Sequence, residues 1–578
     1  RFGMRMVGPN CMGVLNTSPA VGMNATFSPS SPPHGPVAII SQSGAIGQSI
    51  LDLAGELGIG VCQFVSVGNK PDVSGNDLLQ YWNQDPEVHV ILMYLESFGN
   101  PRKFFRITRD LGRRKPIFVV KAGRTAAGAR AAASHTAALS GTDLAADALL
   151  AQAGVLRAQT VEELFDYAMA FPRLPLPRGN RVAIVSNAGG PAIILTDACE
   201  SAGLSVTELT PETQRAVRER VPDEAVVRNP VDLIASATAT TYRDVLTLVL
   251  QDPGVDAVIA SFIPPLGIQA KDVADAIVAA AATRKDIPLV AVLMGRQGVS
   301  AGMRRLMEAG IPGYMFPESA ARALAALNRY RTWLARPEGT EQTFPADKER
   351  VDTILAAAQA AGRERLTEAE ALAVLDAYGI PTAPWRAART AEEAMLAAAQ
   401  VGYPVVLKVM SDQIVHKSDV GGVVLDLKTV DEVREGYARL VRRVRERTGV
   451  DVREVLVQRM LPGGRETIVG MTRDPRVGPL LMFGLGGVFV EAMKDVVFRV
   501  HPLTDVDAHE MIREVRGFAI LEGMRGETSV HLVGLEEVLQ RASQLVGDHE
   551  ALLEMDINPL VAFPDQVAAL DARFRIAR

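Results

Sequence analysis

The sequence predicts an α/β protein in which short apolar strands alternate with amphipathic helices. An apolar run at 36–40 is followed by a Ser/Gly turn and by apolar residues at helical spacing, and a run at 181–186 repeats this order. Further apolar runs at 60–68, 88–95 and 117–120 are separated by polar loops. Strand–turn–helix units of this kind form parallel sheets covered by helices.

Length and charge narrow the class of protein. A chain of 578 residues has room for about four domains. Its 61 basic and 67 acidic residues give a net charge of −6, and no basic block points to nucleic acid as a partner. The three cysteines form no metal-binding spacing. No apolar run is long enough for a membrane span, and no signal peptide is visible, so we expect a cytoplasmic location and no membrane partner.

The two similar strand–turn–helix units predict a pseudo-symmetric pair of flavodoxin-like domains, at 33–172 and 180–335. Ser41 and Ser186 occupy corresponding places in the two units. Free backbone N–H groups at a helix N-terminus attract anions, so the two turns could face one phosphate-sized group. Ordinary βα turns without a ligand would have the same local sequence.

One histidine stands out in a stretch of very small residues. His135 lies within 134–141, which is otherwise built of Ser, Thr, Ala, Leu and Gly. Neutral imidazole is a competent nucleophile near pH 7, and our hypothesis is that His135 is phosphorylated. Glu96 follows the strand predicted at 88–95, and its carboxylate could orient the ring and support positive charge on it. The alternatives are a surface-loop histidine without a role and a solvated acid at a strand end.

The third region, at 366–578, follows a linker predicted at 336–365. Lys408 is a lone lysine in an apolar strand at 403–409, and it either snorkels to solvent or points at an anion. Asn558 and Asp571 each follow a predicted strand and offer the hard oxygen ligands that suit Mg²⁺ on nucleotide phosphates. Turn chemistry is the alternative for both.

These motifs, in this order from Gly8 to Asp571, resemble the ADP-forming acyl-CoA synthetases, relatives of succinyl-CoA synthetase with two subunits fused in one chain. The resemblance implies that His135 is the phosphorylated histidine and that Glu96 supports it. It implies that two helix-opening turns hold the phosphoryl group through Ser43, Gly44, Asn187, Gly189 and Gly190.

The resemblance also implies that the third region is an α+β ATP-grasp domain. In that domain Lys408 would contact the nucleotide phosphates, and Asn558 and Asp571 would hold Mg²⁺. The remaining assignments are His416 as a second histidine that relays phosphate, and Gln458, Met460 and Glu466 as nucleotide-binding residues. The family begins with a CoA-binding Rossmann domain, and residues 1–32 resemble only its exit, which puts CoA binding in question.

The implied reaction interconverts acyl-CoA, ADP and phosphate with carboxylic acid, CoA and ATP, through an acyl phosphate and a phosphohistidine. Mg²⁺ is the implied cofactor, and the partners are small-molecule substrates, with a homo-oligomer expected. An alternative is a nucleotide- or acyl-CoA-sensing regulatory part of a protein lysine acyltransferase without ligase turnover. Retention of a nucleophile at His135 argues against a pure sensor.

Overall fold

The computed structural model describes residues 3–125, 143–265, 267–294, 300–411, 414, 419–487, 495–524 and 526–578. These residues form two compact units. The first contains the described parts of Arg1–Asp143 and Leu150–Arg336, and the second those of Leu144–Leu149 and Pro337–Arg578. None of the helices in these ranges is both long enough and apolar enough to cross a membrane.

The first unit opens with a seven-stranded sheet. Its strands are β1 (Gly13–Asn16), β2 (Met23–Thr26), β3 (Val37–Ser41), β4 (Val61–Ser66), β5 (Val90–Leu95), β6 (Ile117–Lys121) and β7 (Leu156–Ala158). The helices that alternate with these strands along the chain are α1 (Gly44–Glu56), α2 (Gly75–Gln84), α3 (Pro101–Leu111), α4 (Asp143–Gln152) and α5 (Val161–Ala170). The middle of α4, Leu144–Leu149, belongs to the second unit. The strand order is β2-β1-β4-β3-β5-β6-β7.

The strands β4, β3, β5, β6 and β7 run parallel, and β1 joins β4 antiparallel. Strands β3, β4 and β6 are buried along their whole length, which explains their continuous apolar sequence. Because parallel strands end at one edge, the segments that follow β4, β3, β5 and β6 share that edge of the sheet.

A second, entirely parallel sheet completes the first unit. Its strands are β8 (Val182–Ser186), β9 (Val231–Asp232), β10 (Ala257–Phe262), β11 (Leu289–Leu293) and β12 (Gly313–Tyr314), in the order β12-β11-β10-β8-β9. Its helices are α6 (Gly189–Ser201), α7 (Pro211–Arg218), α8 (Ala239–Gln251), α9 (Ala270–Ala281), α10 (Ala301–Glu308) and α11 (Pro317–Ala335).

The two halves of the first unit share one hydrophobic core, because α11 packs against both α5 and α6. Polar contacts fix the junction. The Tyr314 hydroxyl donates to the Asp166 carbonyl at 2.8 Å, and the Tyr330 hydroxyl donates to the Gly112 carbonyl at 2.7 Å. These two α/β sheets, the first mostly parallel and the second entirely parallel, confirm the predicted fold class for the first unit.

The second unit contains two antiparallel sheets. The smaller has the order β13-β16-β14-β15, and the larger has the order β19-β18-β17-β20-β21, with β22 on β20. The strands are β13 (Trp385–Ala388), β14 (Val405–Met410), β15 (Val423–Leu427), β16 (Glu454–Arg459), β17 (Arg465–Asp474), β18 (Gly478–Leu485), β19 (Val496–Val500), β20 (Leu552–Ala562), β21 (Val567–Ala569) and β22 (Ala572–Ile576). This α+β arrangement also agrees with the predicted class.

The helices of the second unit cover these sheets. They are α12 (Lys348–Ala360), α13 (Glu368–Ala377), α14 (Ala391–Val401), α15 (Val430–Thr448), α16 (Asp505–Arg513), α17 (Phe518–Glu522) and α18 (Leu532–Asp548). Helix α12 lies in the segment that the sequence suggested as a linker. Its Val351, Leu355 and Ala358 are buried in the core of the larger sheet, so this helix is part of the second unit.

Candidate functional site

Gln42 fastens the turn after β3 to the loop after β5. Its side chain is 8% exposed and makes three hydrogen bonds across 54 and 55 residues of sequence. The amide oxygen accepts from the backbone N–H of Glu96 at 2.8 Å and of Ser97 at 3.0 Å, and the amide nitrogen donates to the Ser97 carbonyl at 2.6 Å. The position of the Glu96 backbone is therefore set by the residue that precedes the cap of α1.

Glu96 lies at the edge of the sheet where the sequence places it. Its carboxylate oxygen Oε2 is buried and has no hydrogen-bond partner among the described residues. A buried carboxylate oxygen without a donor is costly, which indicates that another group approaches it in the working protein. Ser43 caps α1, since its hydroxyl accepts from the Ile46 N–H at 3.4 Å, and Gly44 is the first residue of this helix.

The turn after β8 repeats this construction in the second parallel sheet. The Asn187 side chain is 3% exposed; it donates to the Ile263 carbonyl at 2.9 Å and accepts from the Ile263 N–H at 3.0 Å. Asn187 thus fastens its turn to the loop after β10, as Gln42 does to the loop after β5. The preceding serines also correspond, because Ser41 donates to the Ser43 carbonyl and Ser186 to the Ala188 carbonyl.

Helix α6 begins at Gly189 with an open N-terminus. The preceding residue, Ala188, makes no side-chain cap hydrogen bond, and both Gly189 and Gly190 are exposed. A Cβ added to Gly189 would lie 3.3 Å from the Asp232 carboxylate. A carboxylate already lies beside this helix end, so a phosphoryl group bound at this turn would share the end with Asp232.

The two histidines of the sequence-based hypothesis, His135 and His416, lie outside the described residues. Their placement beside Glu96 or beside Lys408 therefore stays a prediction. The described chain does continue from β6, whose end shares the sheet edge with Glu96, toward the segment that contains His135.

The second unit has a cavity of about 400 Å³ on one face of its smaller sheet. Alternate residues of a strand point to the same face, which is why Val406 and Lys408 of β14 both line the cavity, with Gln458 of β16 opposite Val406. Met460 and Asp571 also line it. The structure thus brings together four of the predicted nucleotide and metal residues: Lys408, Gln458, Met460 and Asp571.

Gln458 has an unsatisfied group within this cavity wall. The side chain is 2% exposed, and its amide nitrogen has no hydrogen-bond partner in the described part of the chain. Buried polar atoms are nearly always bonded to protein or to something else. The wall therefore combines apolar surface, from Val406 and Leu425, with one unused amide donor.

Lys408 forms a buried ion pair. Its ammonium donates to the Glu368 carboxylate at 2.9 Å and to the Leu570 carbonyl at 2.7 Å. The side chains of Lys408 and Glu368 are 13% and 3% exposed, so the lysine does not snorkel to solvent. Glu368 lines a neighbouring cavity of about 310 Å³, and Asp571 lines both cavities. Lys408 therefore has a counter-ion within the protein, supplied by α13.

Asn558 and Asp571 are adjacent at the backbone, because the Asn558 N–H donates to the Asp571 carbonyl at 3.1 Å. Among the described residues, no group of three or more His, Cys, Asp or Glu side chains could hold a metal ion. One carboxylate and one amide oxygen nevertheless fit Mg²⁺, which takes few protein ligands and completes its shell with phosphates and water.

Glu466 and Asn558 do not line the 400 Å³ cavity. The Glu466 carbonyl accepts from the Gly486 N–H at 2.7 Å, and a Cβ added to Gly487 would lie 3.2 Å from the Glu466 carboxylate. Glu466 therefore lies at the glycine turn that follows β18, on the larger sheet. Its predicted contact with nucleotide stays a prediction.

Sequence reasoning missed two residues that position the site. Gln42 lies in the Ser/Gly turn after the apolar run at 36–40, and Glu368 lies near the start of the third region, but the sequence assigns neither of them a role. A buried polar residue directly after an apolar strand is the signal that could have found Gln42. No local signal marks Glu368, since its partner Lys408 is 40 residues away.

Comparison with known proteins supports the order of domains. Residues 34–171 match the succinyl-CoA ligase like flavodoxin domain, residues 182–338 the ligase-CoA domain and residues 357–576 the ATP-grasp domain. The chain is 40% identical to acetate–CoA ligase (ADP-forming) I of Archaeoglobus fulgidus over 99% of its own length and 82% of that protein. It is 38% identical to 4-hydroxybutyrate–CoA ligase (ADP-forming) of Nitrosopumilus maritimus, over 97% of its own length and 80% of that protein.

A solved structure shows the same likeness in three dimensions. Acetyl-coenzyme A synthetase 1 of Ca. Korarchaeum cryptofilum, in complex with phosphate and ADP, is 35% identical with a TM-score of 0.54. The match covers 58% of this chain and 72% of that chain. These relatives lend no support to the regulatory alternative. From the domain order and the full-length likeness to named ligases, the chain belongs to the ADP-forming acyl-CoA synthetases, a family of acid–thiol ligases.

Proposed function

We propose that this chain interconverts acyl-CoA, ADP and phosphate with a carboxylic acid, CoA and ATP, through an acyl phosphate and a phosphohistidine at His135. The observation that carries the proposal is the Glu96 carboxylate, which Gln42 holds beside the start of α1 and which keeps one buried oxygen without a donor. A ring N–H of His135 would satisfy that oxygen.

The first stage takes place at the sheet edges of the first unit. An oxygen of phosphate attacks the thioester carbonyl, the C–S bond breaks, and CoA leaves with the proton that phosphate gives up. His135 then attacks phosphorus, the bond from phosphorus to the acyl oxygen breaks, and the carboxylate leaves. Glu96 stabilises the positive charge that develops on the ring. Ser43, Gly44, Asn187, Gly189 and Gly190 hold the phosphoryl oxygens.

The second stage takes place at the cavity of the second unit. His416 attacks the phosphoryl group, its N–P bond forms as the N–P bond of His135 breaks, and His135 returns to neutral imidazole. A terminal oxygen of ADP then attacks phosphorus, the N–P bond of His416 breaks, and ATP and neutral His416 result. Lys408 donates to the phosphates, while Gln458 and Met460 contact the nucleotide base and Glu466 lies near the nucleotide. Mg²⁺ held by Asn558 and Asp571 would neutralise part of the phosphate charge.

The substrate class follows from the relatives. One is named for acetate, another for 4-hydroxybutyrate and a third, trans-feruloyl-CoA synthase, for an aromatic acid. We therefore assign this chain a carboxylic acid and the matching acyl-CoA, without a limit on the size of the acyl group. Pyrococcus furiosus relatives are named as separate alpha and beta subunits. For the oligomeric state of this fused chain we propose a homo-oligomer, and for its location the cytoplasm.

The test is phosphorylation of the full chain by γ-labelled ATP with Mg²⁺. We expect a phosphoprotein that is labile in acid and stable in base, and its loss in His135→Ala. His509→Ala is the matched control, because His509 is half exposed, pairs with Glu536 and lines neither cavity of the second unit. An unlabelled wild-type chain contradicts the proposed function, and label that survives in His135→Ala contradicts the assignment of His135.

A further inference from the structure

Lys70 lies in the loop after β4, at the sheet edge that also carries Glu96 and the start of α1. Its ammonium donates to the Ser97 hydroxyl at 2.8 Å and to the Ser97 carbonyl at 3.1 Å. Ser97 is also hydrogen-bonded by the Gln42 side chain, through its N–H and its carbonyl. Lys70 and Gln42 therefore converge on the residue next to Glu96.

The Lys70 ammonium is half-buried, and its hydrogen-bond acceptors among the described residues are uncharged. Both hydrogen bonds that it makes within the described ranges go to Ser97, and an ammonium has three donors. Burial lowers the pKa of Lys70 to about 8, against the opposing attraction of Glu96. A cation removed from water without an ion pair is unfavourable, so an anion that reached this ammonium would be bound with a gain in free energy.

The surroundings of Lys70 favour a doubly charged anion. Lys121, at the end of β6, is 7% exposed and lies close enough to depress the pKa of Lys70. The N-terminus of α1, at Gly44, adds partial positive charge at the same edge. The Glu96 carboxylate acts in the opposite direction and raises the pKa of Lys70. In the described part of the chain, two ammonium groups and a helix end are thus accompanied at this edge by the carboxylate of Glu96.

We propose that Lys70 is a phosphate-binding residue of the first stage, in which its third N–H donates to an oxygen of the phosphate dianion that reacts at this edge. This inference rests on the proposed function, because it assigns the phosphate of that reaction to this sheet edge. Lys70 joins Ser97 and Gln42 in holding the loop of Glu96, so one residue links the bound anion to the carboxylate that supports the histidine.

The experiment measures binding of labelled inorganic phosphate to the full chain by equilibrium dialysis, without nucleotide. We expect Lys70→Met to weaken phosphate binding at least about tenfold, the effect of losing one hydrogen bond between charged groups. Lys115→Met is the matched control. Lys115 is also half-buried and donates to backbone carbonyls, of Trp82 and Asp85, but at the opposite edge of the same sheet. Its loss should leave the affinity unchanged.

Lys70→Arg keeps the positive charge at this position, so it separates a loss of phosphate binding from a folding defect. Phosphate is already a dianion above pH 8, so wild-type affinity should fall as the pH rises through about 8, and Lys70→Arg should lose this fall. Equal phosphate affinity in Lys70→Met and wild type, or no phosphate binding by wild type, overturns the inference. Labelling of His135 by ATP is a separate measurement, so failure of the proposed function is distinguishable from failure at Lys70.

Discussion

Glu368 should act as a counter-ion that nucleotide phosphates can replace. In the structure the Lys408 ammonium is shared between Glu368 and the Leu570 carbonyl, with the two charged side chains almost fully buried. Glu368→Gln removes the negative charge and keeps the shape. The ammonium then stays buried with one charged partner fewer, and phosphates that enter the adjoining cavity become its best remaining counter-ion.

The magnitude follows from the contacts. Removing one charge of a buried ion pair costs about 3–5 kcal/mol, because the other charge stays buried. The amide oxygen still accepts a hydrogen bond worth about 1 kcal/mol, so the change to Gln should cost about 2–4 kcal/mol in the free energy of unfolding without ligand. At roughly 2–4 °C per kcal/mol for a unit of this size, that loss corresponds to about 4–16 °C in Tm. With ADP and Mg²⁺ bound, the loss should be smaller, because Lys408 regains an anionic partner.

The assay is differential scanning calorimetry of the full chain with and without saturating ADP and Mg²⁺, following the transition that ADP shifts. We expect a larger ADP-induced rise in Tm for Glu368→Gln than for wild type. Glu370→Gln is the matched control, since Glu370 is on the same helical turn but pairs with Arg363 and caps α13. It should lower Tm without changing the ADP-induced rise. An equal or smaller rise in Glu368→Gln than in wild type would refute the reasoning.

Two further predictions concern the first unit. A Cβ at Gly154 would lie 2.0 Å from the Trp333 ring, whereas a Cβ at Gly310, also at positive φ, would meet nothing within 4 Å. In urea titrations, Gly154→Ala should therefore lower the free energy of unfolding by about 1–3 kcal/mol more than Gly310→Ala does. Equal losses would show that the ring moves freely. Burial raises the pKa of Cys62 and Cys199 to about 12, so alkylation of the native chain near pH 8 should modify only Cys11. Mass spectrometry that finds two or three modified thiols would contradict this.

Much of the fold could be predicted because its signals are local. The apolar runs at 88–95 and 117–120 correspond to β5 and β6, since strands buried on both faces need continuous apolar sequence. Prediction was weaker where burial alternates. Charged and apolar residues alternate in 464–475, which is typical of half-exposed strands, but the centre of Arg465–Asp474 is buried, and this strand lies between Gly478–Leu485 and Leu552–Ala562.

The sequence by itself determined the class of the fold, the order of the domains and the positions of the turns after β3 and β8, because periodicity and small residues act over a few positions. Only the tertiary structure decided which side chains meet. Gln42 reaches Glu96, Lys70 reaches Ser97, and Lys408 finds Glu368 across 27 to 54 residues of chain. Such contacts depend on strand order and on which ends share a sheet edge, and no short stretch of sequence contains that information.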